Sequence, residues 1–165
     1  MTPQEVLERV RQFGGKMVEL TGGEPLLQKE TVDLAGSLLA EGYRVLIETS
    51  GERFIGDLPR PVVKIVDVKC PGSGEGGKFD LANLGVLEEK DQIKFVVQDE
   101  RDYLYARDFM EKHGLAERVG EIIFSPVFDQ LAPLELAQWI LRDNLDVRLG
   151  LQIHKFIWEP ETRGV

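Results

Sequence analysis

Apolar positions along this chain switch between two periods. Val6, Val10 and Phe13 recur at helical spacing. Ahead of them, Thr2-Pro3-Gln4-Glu5 is a helix start: Thr2 caps, Pro3 takes the first helical position and Glu5 closes a capping box. Gly14-Gly15 ends that helix. Lys16 to Leu20 then reads as a short buried strand. Gln28 to Leu39 returns to helical spacing, with Val32, Leu34, Ala35, Leu38 and Leu39 inward and Gly42 as the stop.

The same alternation continues to the end. Tyr43 to Glu48, Val62 to Val68, Gln92 to Val97, Glu121 to Phe124 and Val147 to Ile153 are predicted strands. Asp99 is predicted to cap a helix that reaches His113-Gly114, with His113 as its C-terminal cap, and Pro133 to Leu141 is a further helix. Strands that are mostly continuous apolar runs, separated by helices, predict a parallel sheet buried on both faces. An open doubly wound sheet and an incomplete (β/α) barrel both satisfy the order. Either one gathers the loops after the strands at the C-terminal edge, where α/β proteins build their sites. An α/β unit normally opens with a strand and this chain opens with a helix, so a first strand and its loop are expected to be missing.

Composition narrows the classes. The chain has 165 residues, enough for one domain (1–165) with a real core. A net charge of -9 argues against a nucleic-acid surface, which needs a basic stripe. No apolar run approaches the roughly 20 residues of a membrane span, and the acidic, amphipathic N-terminus is neither a signal nor a transit peptide. Cys70 is the only cysteine, so no internal disulfide forms, and a reducing cytoplasm fits.

Chemistry is concentrated in four loops. Thr21-Gly22-Gly23-Glu24-Pro25 has two residues without Cβ beside a carboxylate. A ligand could press against that backbone, and the carboxylate suits an ammonium group. A phosphate cradle would need a following Lys or a G-x-G-x-x-G spacing, and neither is present. The same stretch also suits a tight strand-to-helix turn. Glu48-Thr49-Ser50-Gly51 reads as a site loop or a capping turn. In Asp67-Val68-Lys69-Cys70-Pro71-Gly72-Ser73-Gly74, Asp67 and Lys69 share a strand face, as a site or as a buried salt bridge. Cys70 has no evident partner for a nucleophilic dyad, and a lone cysteine holds neither zinc nor an iron–sulfur cluster. Gln152 and His154 are expected to share a face of the last strand, as a site or as a half-buried edge.

These loops resemble the radical S-adenosylmethionine (SAM) superfamily, whose GGEP motif matches Gly22-Gly23-Glu24-Pro25. The run of Glu48-Thr49-Ser50-Gly51, Asp67 to Gly74, Phe124-Ser125-Pro126-Val127, Leu151 to Trp158 and Arg163-Gly164-Val165 is similar, in that order, to the 7-carboxy-7-deazaguanine synthase family. The resemblance runs from about Glu5 to the last residue. GGEP is only superfamily-specific; the D-V-K-C-P-G-S-G and L-Q-I-H-K strings with the tail are much more specific.

The resemblance implies an incomplete (β/α) barrel of the radical SAM type, mostly parallel and without its first strand. It implies a carbon–nitrogen lyase that contracts 6-carboxy-5,6,7,8-tetrahydropterin to a 7-deazaguanine and releases ammonia, in queuosine biosynthesis. By position, Gly22, Gly23 and Glu24 would hold the SAM amino group. Glu48 and Thr49 would sit between SAM and substrate. Ser73 would meet the SAM ribose or carboxylate, and Gln98 would lie near the adenosine. His154 and the C-terminal carboxylate of Val165 would face the pterin. The family also implies a 4Fe-4S cluster, Mg2+, a flavodoxin-like reductant and a homodimer.

The chain departs from the family in one respect. The three cluster cysteines, the neighbouring Mg2+ threonine and an upstream substrate arginine are not in it. They would occupy roughly one βα unit of some 30 residues. The chain as it stands is therefore expected to be a truncated, inactive radical SAM domain with no assignable catalytic residue. A radical-activating enzyme that acts on a partner protein and a non-catalytic SAM-binding remnant are the alternative readings.

Overall fold

Thr2 starts the first helix, α1 (Pro3–Val10), through a complete capping box. Its amide donates to Glu5 Oε2 at 2.7 Å, and its hydroxyl accepts from the Glu5 amide at 3.3 Å. The computed structural model describes residues 1–160 and 162. The remaining elements are β1 (Met17–Leu20), α2 (Thr31–Ala40), β2 (Arg44–Thr49), β3 (Val63–Asp67), β4 (Gln92–Val97), α3 (Glu100–His113), β5 (Glu121–Pro126), α4 (Pro133–Arg142), β6 (Arg148–Leu149) and α5 (His154–Ile157).

The strands lie in sequence order, β1 to β6, and every pairing is parallel. That order decides between the two architectures. A doubly wound sheet reverses its strand order at a switch point, and this sheet does not. Each crossover steps the same way, and right-handed crossovers of one direction put their helices on one face. The sheet is an open, barrel-like layer with a single helical side.

Burial separates the two faces. The core cluster takes Val45, Ile47, Val66, Ile93, Phe95, Ile122 and Phe124 from the strands. Ala35 and Leu38 of α2, Tyr103 and Ala106 of α3, and Leu136 of α4 cover them, all fully buried. Phe95 and Tyr103 meet Phe124 edge to face at 5.5 and 5.9 Å between ring centres. The alternate positions point to the other face. Across it the register sets Glu48 beside Ile65, Asp67 beside Lys94, and Lys94 beside Ile123.

Several boundaries differ from the sequence expectation. Helix α1 stops at Val10, and Phe13 is 73% exposed rather than on a buried face. Helix α2 starts at Thr31, because Pro25 to Leu27 form a short 3-10 turn and the Thr31 hydroxyl donates to the Pro25 carbonyl at 2.6 Å. Asp99 caps α3 as expected, accepting from the Asp102 amide at 2.9 Å. The C-terminal cap is Gly114, in the left-handed conformation, and not His113. His113 instead stacks on Phe109 at 4.4 Å.

The largest correction is at the last strand. β6 covers only Arg148–Leu149, and His154 opens α5. Gln152 and His154 therefore do not alternate along a strand. β6 pairs only with β5, so nothing extends its ladder, and Ile153, Phe156 and Ile157 follow helical spacing instead.

One buried ion pair fastens the far end of the sheet. Lys64 is on the covered face, and its ammonium reaches Asp91 Oδ2 at 2.8 Å with side-chain exposures of 5% and 0%. Asp91 also accepts from the Lys64 and Glu88 amides, at 2.9 Å each. Lys64→Ala leaves the buried carboxylate to Lys90 at 3.4 Å and two backbone amides, and is expected to cost about 3 kcal/mol, measured as a fall in the urea midpoint. An unchanged midpoint would contradict this account of the pair.

Candidate functional site

Strands β1 and β2 end in loops that one carboxylate stitches together. Glu24, at the β1 end, accepts from the Leu26 amide at 3.0 Å and so caps its own 3-10 turn. From the β2 end it accepts the Thr49 hydroxyl at 2.8 Å, the Ser50 amide at 2.8 Å and the Ser50 hydroxyl at 2.6 Å. Burial pushes the Glu24 carboxyl up, but the bonds from Ser50, Leu26 and Thr49 outweigh it and hold the group below the ordinary value. The turn reading of this loop holds, and it leaves the carboxylate fixed and ionised.

Gly22 and Gly23 precede that anchor with φ of +99° and +58°, and a Cβ on either would meet open space. Among the described residues, nothing donates to their carbonyls. Two carbonyls without a donor beside a fixed carboxylate can accept an ammonium group.

The uncovered sheet face holds a cavity of about 320 Å3 at the C-terminal edge. Glu48, Asp67, Lys69, Ser73, Lys94 and Gln98 line it. Lys94 pairs with Glu48 at 2.7 Å, and Lys69 with Asp67 at 2.5 Å. Asp67 ends β3 and Lys69 lies two residues beyond it, so the expected pairing forms across the strand end rather than along the strand. Asp67 Oδ1 is buried and has no hydrogen-bond partner among the described residues. An apolar groove of about 370 Å3 adjoins the cavity through Gln152, and among the described residues Asp129 is the one charged side chain in its lining.

The glycine-rich loop after β3 is held by Asp102 of α3, which is 1% exposed. Asp102 accepts from the Gly72 amide at 2.8 Å and the Gln98 amide at 3.2 Å. A Cβ on Gly72 would lie 2.5 Å from Asp102 Oδ2, so a side chain there would push the Asp102 carboxylate off the amides it holds. Ser73 lies on the same loop, and its hydroxyl donates to the Cys70 carbonyl at 2.6 Å. Cys70 itself is buried, and burial followed by the charges of Asp102 and Asp67 drives its thiol far up. A nucleophilic Cys70 is therefore excluded by its surroundings.

The structure thus brings Glu48, Ser73 and Gln98 to one cavity. Thr49 points to the covered face, 2% exposed, and acts through Glu24. His154 is exposed on α5 and is not in the cavity lining. Val165 lies outside the described residues. Sequence reasoning passed over Lys94 and Asp102. Lys94 carried a signal: it alternates with Ile93, Phe95 and Val97, the apolar set of its strand, and so falls on the opposite face. Asp102 reads in sequence as one more first-turn acid.

No family model matches the chain. It is 52% identical to the 7-carboxy-7-deazaguanine synthase of Koribacter versatilis over all of this chain and 79% of that protein. It is 43% identical to the enzyme of the same name from Chlorobaculum tepidum, over all of this chain and 76% of that one. Among solved structures, it resembles QueE from Escherichia coli with a TM-score of 0.70 at 23% identity, over 92% of this chain and 64% of that one. SuiB from Streptococcus suis, bound to S-adenosylmethionine, gives a TM-score of 0.61 at 10% identity. Both structural likenesses concern the fold.

Glu24→Gln turns an amide NH2 toward at least one of the Ser50 and Leu26 amides. It is expected to lower stability by about 1 kcal/mol at neutral pH. Because the folded carboxyl titrates below the ordinary 4.5, the native advantage is complete above that value and is lost as pH falls through the lower folded one. Thermal melts of the two proteins should therefore converge below pH 4.5. A constant gap across the acid range would refute the anchoring role.

Proposed function

The chain belongs to the 7-carboxy-7-deazaguanine synthase family, radical SAM lyases of the queuosine pathway, and from that premise we propose that it serves the ring contraction of 6-carboxy-5,6,7,8-tetrahydropterin. SAM takes the loop at the β1 end, and the pterin takes the cavity on the uncovered sheet face. The observation that carries this reading is the pair of opposed ion pairs, Glu48–Lys94 and Asp67–Lys69, at the mouth beside the Glu24 anchor.

The residues fit SAM at its amino-acid end. The free carbonyls of Gly22 and Gly23 accept the ammonium, and the fixed charge of Glu24 complements it. Thr49 and Ser50 hold Glu24 in place, which preorganises the seat before ligand arrives. Ser73, on the loop pinned by Asp102, serves the ribose or carboxylate, and Gln98 serves the adenosine. When bound, SAM supplies hydrogen-abstracting radical chemistry. Glu48, oriented by Lys94, lies between SAM and the pterin. His154, outside the cavity lining, and Val165 are assigned to the pterin side by the family resemblance alone.

The residues of this chain do not fit a 4Fe-4S cluster, because Cys70 is the only cysteine and it is buried. Among the described residues, no group of three or more His, Cys, Asp and Glu side chains is disposed to hold a metal ion, so no role is assigned to Mg2+ through them. The flavodoxin-like reductant, the cytoplasmic setting and the homodimer are part of the same proposal. The exposed Leu134 and Leu141 of α4 favour the pairing of two copies. No helix among the described residues is long and apolar enough to cross a membrane.

Isothermal titration of the chain with SAM tests the assignment apart from turnover. Saturable binding is expected. Gly22→Val, which puts a β-branched residue at φ +99° and fills the seat, should weaken it by at least about ten-fold. A folded chain that takes up no SAM, or a variant with undiminished affinity, would overturn the placement.

A further inference from the structure

The loops after β3 and β4 meet on one buried carboxylate. Asp102 sits in the first turn of α3 and is 1% exposed, so its part in the site is played through the loops it holds. Its Oδ1 accepts from the Gly72 amide at 2.8 Å, and its Oδ2 from the Gln98 amide at 3.2 Å. Its own amide donates to Asp99 Oδ1 at 2.9 Å. The next residue, Tyr103, is fully buried and donates its hydroxyl to Asp143 of the α4 end at 2.8 Å. The carboxylate is thus fixed to the core through its helix, and both loops take their position from it. Gly72 directly precedes Ser73, and the side chains of Ser73 and Gln98 both line the cavity. Among the described residues, no hydrogen bond joins Asp102 to Glu24, which is held by its own donors from Leu26, Thr49 and Ser50.

We propose that Asp102 is a positioning residue for the nucleoside end of SAM: by holding the Gly72 and Gln98 amides together it sets the spacing of Ser73 and Gln98, and it leaves the amino-acid end at Gly22, Gly23 and Glu24 unaffected. This rests on the reading that SAM spans these loops. Loops held in place beforehand need not be ordered when the ligand arrives, and that saving appears as affinity. A carboxylate suits the task because it accepts at both oxygens, whereas an amide in its place accepts at one. The SAM site then has two halves with separate anchors, Glu24 for the methionyl group and Asp102 for the nucleoside.

The test uses three probes: SAM, 5′-methylthioadenosine, which keeps the nucleoside and lacks the amino-acid end, and methionine. The first two are titrated by calorimetry and the third by NMR of its methyl group. Asp102→Asn should weaken SAM and methylthioadenosine each by at least about ten-fold and leave methionine unchanged. Gly22→Val should do the reverse, weakening SAM and methionine but not methylthioadenosine. Gly72→Ala reaches the same link from the loop side: its Cβ meets Asp102 Oδ2 at 2.5 Å, and Gly72 is not in the left-handed region, so its backbone accepts alanine. It should reproduce the Asp102→Asn pattern, and it decides the question by the same comparison if Asp102→Asn does not fold. Added to Asp102→Ala it should cost nothing further, because the atom it meets is gone. Undiminished methylthioadenosine binding in these variants, or a common loss for all three probes, overturns the positioning role. A folded wild-type chain that takes up neither SAM nor methylthioadenosine overturns the SAM reading itself.

Discussion

A parallel sheet whose strands step in one direction buries one face and leaves the other without helices. That constraint governs this molecule. The covered face is sealed by Val45, Ile47, Ile93, Phe95 and Phe124 under three helices. The open face must hold whatever is polar on the alternate positions, and there charge meets charge. Glu48 takes Lys94, and Asp67 takes Lys69. Ion pairs half-removed from water are costly to desolvate and seldom contribute much to stability. Their clustering at the C-terminal edge therefore reads as binding chemistry rather than as a device for holding the sheet together.

The two ends of the site are built differently. At the β1 end, the electrostatics are saturated. Glu24 receives bonds from Leu26, Thr49 and Ser50, and the open valences belong to the glycine carbonyls beside it. At β3 the backbone is satisfied and a side-chain oxygen is not. The separation follows from strand register, since Thr49 points into the core and its neighbour Glu48 points into the cavity.

Much of this was legible in the chain itself. The period of apolar residues placed nearly every strand, and capping signals at Thr2 and Asp99 located two helix starts. The loop strings at 22–25, 48–51 and 67–74 pointed to the family, and a relative 52% identical bears that out. Local signals misled where local rules compete. Gln152 and His154 alternate like a strand, but an edge with one neighbour could not sustain it, and helical spacing from Ile153 to Ile157 prevailed.

What the sequence determined by itself was therefore the set of elements and the chemistry at their ends, because period, caps and turn residues act within a few positions along the chain. The tertiary structure fixed the strand order, and with it bore out the incomplete barrel that the family resemblance implied over the doubly wound sheet that periodicity alone left open. It alone decided that Lys94 answers Glu48, 46 positions away, and that Asp102 holds Gly72 and Gln98. Such pairings depend on register across strands and on how crossovers return, and neither is written in any local stretch of residues.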